Sequence, residues 1–139
     1  MFSSNTYQNR RKNLFNSIED GLILFPGNNP VPMNYPSNHL PFRQDSNFMY
    51  YCGLDFSHLS LVLDVDEGEA ILFGDDLSVD EIVWEGERTP ISQMAESSGI
   101  DRFLSSKNKG AIGLINSILK YPDLFSLLDL QLSKILFPI

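Results

Sequence analysis

The run Leu40-Pro41-Phe42-Arg43-Gln44-Asp45-Ser46-Asn47-Phe48-Met49-Tyr50-Tyr51-Cys52-Gly53 carries a proline-fixed loop straight into an aromatic segment. Residues 48–52 are aromatic and β-prone, so a strand is predicted there, with Gly53 ending it. Asp45 or Asn47 can hydrogen-bond the local backbone and fix the turn into this segment. The planar guanidinium of Arg43 can bind a carboxylate or several carbonyls at once; it serves either a ligand or the loop itself. Phe42, Phe48 and Tyr50 are expected to anchor the loop-to-strand junction through aromatic burial.

Upstream, Pro26, Pro30, Pro32, Pro36 and Pro41 fix backbone angles and remove donors that a sheet would need, so residues 26–47 read as a long ordered loop. Such loops are uncommon in compact domains and tend to bind or to wrap other surfaces. Before it, Leu22 to Phe25 is a short apolar run that predicts a strand buried on both faces. The chain begins with a helix that Ser3 or Ser4 can cap, its inward positions Tyr7, Leu14, Phe15 and Ile18 recurring at helical spacing until Asp20-Gly21. Arg10, Arg11 and Lys12 read as its solvated face.

Downstream, Leu59 to Val65 and Glu69 to Phe73 flank Asp66-Glu67-Gly68, the pattern of a β-hairpin with glycine at the positive-φ position. Val79 to Trp84 and Ile91 to Ser97 predict short helices, Gly99 stopping the second, and Arg102 to Leu104 a further strand. Ile112, Ile115 and Leu119 line a possible helix before Pro122, and Leu124 to Phe137 is apolar without a clean period. Strands and helices in this order predict an α/β domain.

The 139 residues are expected to form one domain with one core, for which 42% hydrophobic and 12% aromatic residues are ample. A formal net charge of -8 disfavours nucleic acid. No stretch approaches the about 18 consecutive apolar residues of a membrane span, so no membrane partner is expected. Cys52 alone cannot form an internal disulfide, and the opening Met1-Phe2-Ser3-Ser4-Asn5 lacks the apolar run of a signal peptide; both fit a reducing cytoplasm.

Catalytic constellations are sparse. His39 and His58 are the only imidazoles, read as loop or surface residues, and no Gly-x-Ser-x-Gly elbow accompanies them. Asp64, Asp66, Glu67, Glu69 and Asp75 imitate calcium-loop spacing, but Gly68 lies one place before the required glycine, so a solvated hairpin tip is expected. Phosphate-cradling glycine motifs and zinc spacings are absent, and the expected catalytic and metal residues are none.

The Leu40 to Gly53 run resembles the Tyr-Pro-Phe-Arg-Gln-Asp-Ser-Asn-Phe-x-Tyr-x-x-Gly signature of the N-terminal domain of aminopeptidase P, the Xaa-Pro aminopeptidases. Supporting matches are Tyr7-x-x-Arg10-Arg11-x-x-Leu14, Leu22 to Phe25, Leu72-Phe73 and Trp84-Glu85-Gly86-Glu87-Arg88, in the family's order. The likeness is clearest over residues 7–99; Leu40 departs from the family's Tyr. It implies the creatinase/prolidase N-terminal fold, a mixed β-sheet flanked by helices, and a noncatalytic domain that supplies oligomer contacts and shapes a substrate channel. The motif residues Phe42, Arg43, Asp45, Asn47, Phe48, Tyr50 and Gly53 would be structural. Trp84, with Arg88 as a weaker candidate bracing its loop, matches a segment that projects from one subunit toward a neighbour's active site.

The resemblance further implies a C-terminal pita-bread catalytic domain, absent from this chain, holding two manganese ions and removing an N-terminal residue that precedes proline. This chain itself would then hold no cofactor, and its partners would be that domain and further copies of itself. The alternatives are the N-terminal domain of a prolidase-like dipeptidase and a free-standing adaptor binding a peptide or protein on the same scaffold.

Overall fold

The computed structural model describes residues 2–106; the expectations for residues 107–139 lie outside them. The described elements are α1 (Ser4–Phe15), β1 (Leu22–Pro26), α2 (Ser46–Cys52), β2 (Ser60–Asp64), β3 (Glu69–Phe73), α3 (Val79–Glu85), α4 (Ile91–Ser98) and β4 (Arg102–Leu104). The sheet has the order β1-β2-β3-β4. The first three strands are antiparallel, while β4 runs parallel to β3, so the sheet is mixed as expected.

Strand alternation divides the apolar residues between two faces. Leu61 and Leu63 of β2 and Leu72 of β3 join Phe48, Cys52, Met94 and Ala95 in the main core against the helices. Val62, Ile71 and Phe73 form a second cluster on the opposite face, with Leu22 and Leu104 packed beside them. The hairpin turns at Gly68, where φ is 68°, and Asp64 Oδ1 accepts from the Glu67 amide at 3.2 Å.

Strand β1 departs from its predicted burial. Among the described residues it pairs only with β2 and lies at the edge of the sheet, and Leu24 is 46% exposed although Ile23 and Phe25 pack on the core. Helix α1 also ends sooner than expected, at Phe15, leaving Ile18 outside it and exposed.

The larger correction is α2: residues 48–52 are helical, not a strand. Asp45 acts as the N-cap, its Oδ1 accepting from the amides of Asn47 and Phe48 at 2.9 Å each. Gly53 closes the helix in the left-handed region at φ 73°, where a side chain would also collide with the Tyr7 ring. Between the caps, Phe48 and Cys52 stand one turn apart on the buried side. A strand would send alternate residues to opposite faces; a single buried stripe at i and i+4 requires the helix, and the caps override the aromatic β-preference.

Only Phe48 of the three expected aromatic anchors is fully buried. Phe42 is 36% and Tyr50 51% exposed. Phe48→Ala should therefore cost about 3–5 kcal/mol, whereas Tyr50→Ala should cost clearly less. Chemical denaturation of the two variants checks this, and equal losses would contradict the helical assignment of inward and outward faces.

Candidate functional site

Three features carry polar chemistry: a buried arginine between helices, the loop before α2, and the surface of α3. The first lies where the sequence predicted a solvated face. Tyr7, Arg11, Leu14 and Phe15 fall on one helical stripe, so Arg11 points inward and is 3% exposed. Its Nη1 donates to the Tyr51 carbonyl at 2.7 Å and to Ser98 Oγ at 3.3 Å. Its Nη2 donates to the carbonyls of Ser98 at 2.9 Å and Gly99 at 2.7 Å.

These acceptors lie at the C-terminal ends of α2 and α4, where helix carbonyls lack internal partners and the dipole is negative. One guanidinium thus joins three helices. Burial lowers its pKa, while the neighbouring Cys52 and Asp101 favour its charged form. Arg10, one position earlier, performs the exposed counterpart: Nη1 donates to the Tyr50 carbonyl at 2.8 Å, and the guanidinium stacks 4.1 Å from the Tyr50 ring centroid.

The loop is held by Gln44, a residue not singled out from the sequence. It is 4% exposed; Oε1 accepts from the amides of Asn28 at 2.6 Å and Asp45 at 2.9 Å, and Nε2 donates to the Phe56 carbonyl at 2.6 Å. Gln44 therefore staples the end of the loop. The Arg43 side chain is exposed, on the rim of a groove of about 450 Å3 whose lining includes Val31, Leu40 and Phe42. Asn47 is exposed and contributes its amide to the Asp45 cap.

Helix α3 is set by a capping box between Ser78 and Glu81, with Glu81 Oε2 accepting from the Ser78 amide at 2.7 Å and Ser78 Oγ from the Glu81 amide at 3.3 Å. The helix stands off the core. Val79 is 78%, Val83 73% and Trp84 87% exposed. Arg88 donates from Nη2 to the Asp75 carbonyl at 2.7 Å, tying the segment after α3 back to the end of β3. Beside it, Arg88, Asp75, Glu81 and His58 line a polar cleft of about 600 Å3. His58 holds a left-handed φ of 60° there. Both histidines are exposed, and among the described residues no three His, Cys, Asp or Glu gather in a group able to hold a metal ion. These residues do not fit a manganese pair.

A family model described as the aminopeptidase P N-terminal domain matches residues 7–117. The chain belongs to that family. Over 74 residues it is 31% identical to the probable Xaa-Pro aminopeptidase PEPP of Fusarium vanettenii, a match covering 47% of this chain and 16% of that protein. Aminopeptidase P from Escherichia coli, solved in a low-pH form, aligns with a TM-score of 0.65 and 26% identity over 76% of this chain and 24% of that one. The same enzyme solved with the inhibitor Pro-Leu, and zinc-substituted with product, aligns equally well over 75% of this chain.

The chain thus spans about a quarter or less of the length of these relatives. The fold expected of an aminopeptidase P N-terminal domain, a mixed sheet with helices packed on it, is the one observed. No described helix is long and apolar enough to cross a membrane.

Arg11 and Cys52 give this domain two measurable signatures. Replacing Arg11 with Met should destabilise by at least about 3 kcal/mol, because several buried acceptors lose their donor at about 1–3 kcal/mol each. Denaturant titration measures the loss. Cys52 accepts from Ser98 Oγ at 3.5 Å, and burial pushes its thiol from 9.0 up to about 11. Because the unfolded chain releases this proton first, the thiol's contribution is complete below pH 9 and falls as pH rises toward about 11. The stability difference between the wild type and Cys52→Ala should shrink over that window, and at pH 8 iodoacetamide should label Cys52 only after unfolding.

Proposed function

We propose that this chain is the noncatalytic N-terminal domain of a Xaa-Pro metalloaminopeptidase, supplying oligomer contacts and part of the substrate channel. The parent hydrolase would remove an N-terminal residue preceding proline, with two manganese ions held by a pita-bread catalytic domain outside this sequence. Residues 1–139 would form one domain, in the cytoplasm, partnered by that catalytic domain and by further copies of the chain. The buried, unpaired Cys52 suits such a reducing compartment.

The observation that supports this reading best, beyond family membership, is the placement of Trp84. At 87% exposure on a capped helix, the indole adds little to the core, whereas a rigid aromatic surface gives large contact area at low entropic cost. It would meet a neighbouring subunit at the substrate channel, with Arg88 bracing the following turn through Asp75. In the full-length enzyme, Trp84→Ala should lower kcat/KM for Xaa-Pro peptides by about tenfold or more, the scale of a 1.4 kcal/mol contact, while fold and metal content are retained. Mixing this variant with a metal-site mutant should restore activity in verified mixed oligomers. Full activity of Trp84→Ala alone would remove its channel role.

A further inference from the structure

We propose that Asp20 is a self-modifying position: the Gly21 amide attacks its carboxyl, and the chain re-forms through the side chain as isoaspartate, a substrate for a protein carboxyl methyltransferase. The 139 residues contain one Asp-Gly dipeptide and no Asn-Gly. Glycine matters because the attacking nitrogen belongs to the residue after the aspartate, and without a Cβ that residue does not shield it.

The fold leaves both reacting groups free. Asp20 and Gly21 lie in a bend between α1, which ends at Phe15, and β1, which begins at Leu22. Asp20 is exposed, and its carboxylate has no hydrogen-bond or ion-pair partner among the described residues. Gly21 is buried, yet the place a Cβ would take has no atom within 4 Å beyond its own chain neighbours, so no other segment crowds it from that side. Its carbonyl accepts from the Val65 amide at 2.9 Å, whereas its own amide donates to no acceptor among the described residues. At φ 105° the residue has also left the extended backbone that β1 adopts next.

Similar dipeptides elsewhere are held. In Asp45-Ser46, Asp45 Oδ1 is engaged by the amides of Asn47 and Phe48 at 2.9 Å each, and Ser46 opens α2. In Asn16-Ser17 the nitrogen that would attack is committed, since the Ser17 amide donates to the Leu14 carbonyl at 3.0 Å. A group fixed in this way must give up its hydrogen bond before a ring can close.

The chemistry needs only water. The Gly21 nitrogen bonds to Cγ of Asp20 while its hydrogen and a carboxyl hydroxyl leave together as water, giving a five-membered succinimide. Water then adds back. Opening at the Asp20 backbone carbonyl breaks the original peptide bond, leaves a free α-carboxylate and routes the chain through Cβ and Cγ, one methylene longer. That insertion falls just ahead of β1, where the Gly21 carbonyl holds Val65 and Leu22 pairs with Asp64. Leu22 packs beside Val62, Ile71 and Phe73, so the disturbance reaches the edge strand and this smaller cluster. The new α-carboxylate has no counterpart in an ordinary backbone and marks the altered chain for a methyltransferase, whose S-adenosylmethionine gives its methyl group to the carboxylate oxygen and leaves as S-adenosylhomocysteine.

The wild-type chain, Asp20→Glu and Asp20→Asn are aged at neutral pH, and the methyl groups that a protein carboxyl methyltransferase transfers from labelled S-adenosylmethionine are counted. Peptide mapping with electron-transfer fragmentation locates the isoaspartate, and circular dichroism verifies that each variant keeps its fold. The wild type should accumulate methyl-accepting sites that map to position 20. Asp20→Glu should slow this by about tenfold or more, because closure then requires a six-membered ring, and Asp20→Asn, which expels ammonia in place of water, should reach the same isoaspartate faster. The folded chain should react within about tenfold of its urea-unfolded form, since the fold adds little to the barrier. Aged wild type without isoaspartate at position 20, methyl acceptance unchanged in Asp20→Glu, or reaction only after unfolding would each overturn the proposal.

Discussion

A buried cation, held by backbone carbonyls and with no carboxylate among the described residues in hydrogen-bonding contact, organises this domain. Arg11 lies where three helices meet, and its solvation is replaced by two helix ends and one hydroxyl. That exchange works because the last carbonyls of α2 and α4 would otherwise need water. Pulling either helix away would strand a charge in the core, a cost far above that of losing an ordinary apolar contact. The guanidinium therefore fixes how α1, α2 and α4 lie together over the sheet, and Leu61, Leu63 and Leu72 pack beneath the assembly they form.

The position of α2 depends in turn on a chain of local bonds. Gln44 holds the end of the loop against Asn28 and Phe56, which places Asp45 at the start of α2. Asp45 caps the first turn, and Gly53 admits the Tyr7 ring at the last. The loop is thus ordered from its buried end, and its apolar side chains are displayed by a rigid support. This arrangement explains how a segment rich in exposed Val, Met, Tyr, Leu and Phe can keep a defined shape without a core of its own.

The outer features divide by charge as the inner ones divide by packing. Acidic groups gather around α3, while the loop carries one arginine at the end of an uncharged stretch. Trp84 and the Arg43 side chain are exposed, outside the buried core. Relatives of which this chain covers about a quarter or less have ample further structure for such surfaces to serve.

Much of the fold was legible in the residues. The β2–β3 hairpin followed from the two runs flanking Asp66-Glu67-Gly68, α3 and α4 were expected as short helices with Gly99 stopping the second, and the Leu40 to Gly53 signature marked the family later matched over residues 7–117. Trp84 lies among Glu81, Glu85, Glu87 and Arg88, a setting too polar for an ordinary core residue, and it is exposed. Local signals sufficed because turns, caps and hydrophobic period act over a few residues. Tertiary structure decided the rest. The inward stripe of α1 passes through Arg11, yet only the converging ends of α2 and α4 make burial of that charge tolerable. Aromatic composition favoured a strand at 48–52, but Asp45, Gly53 and the ring of Tyr7, the last brought from 46 positions away, select a helix. Sequence fixes which groups seek partners, while their acceptors come from segments that meet only when the chain has folded.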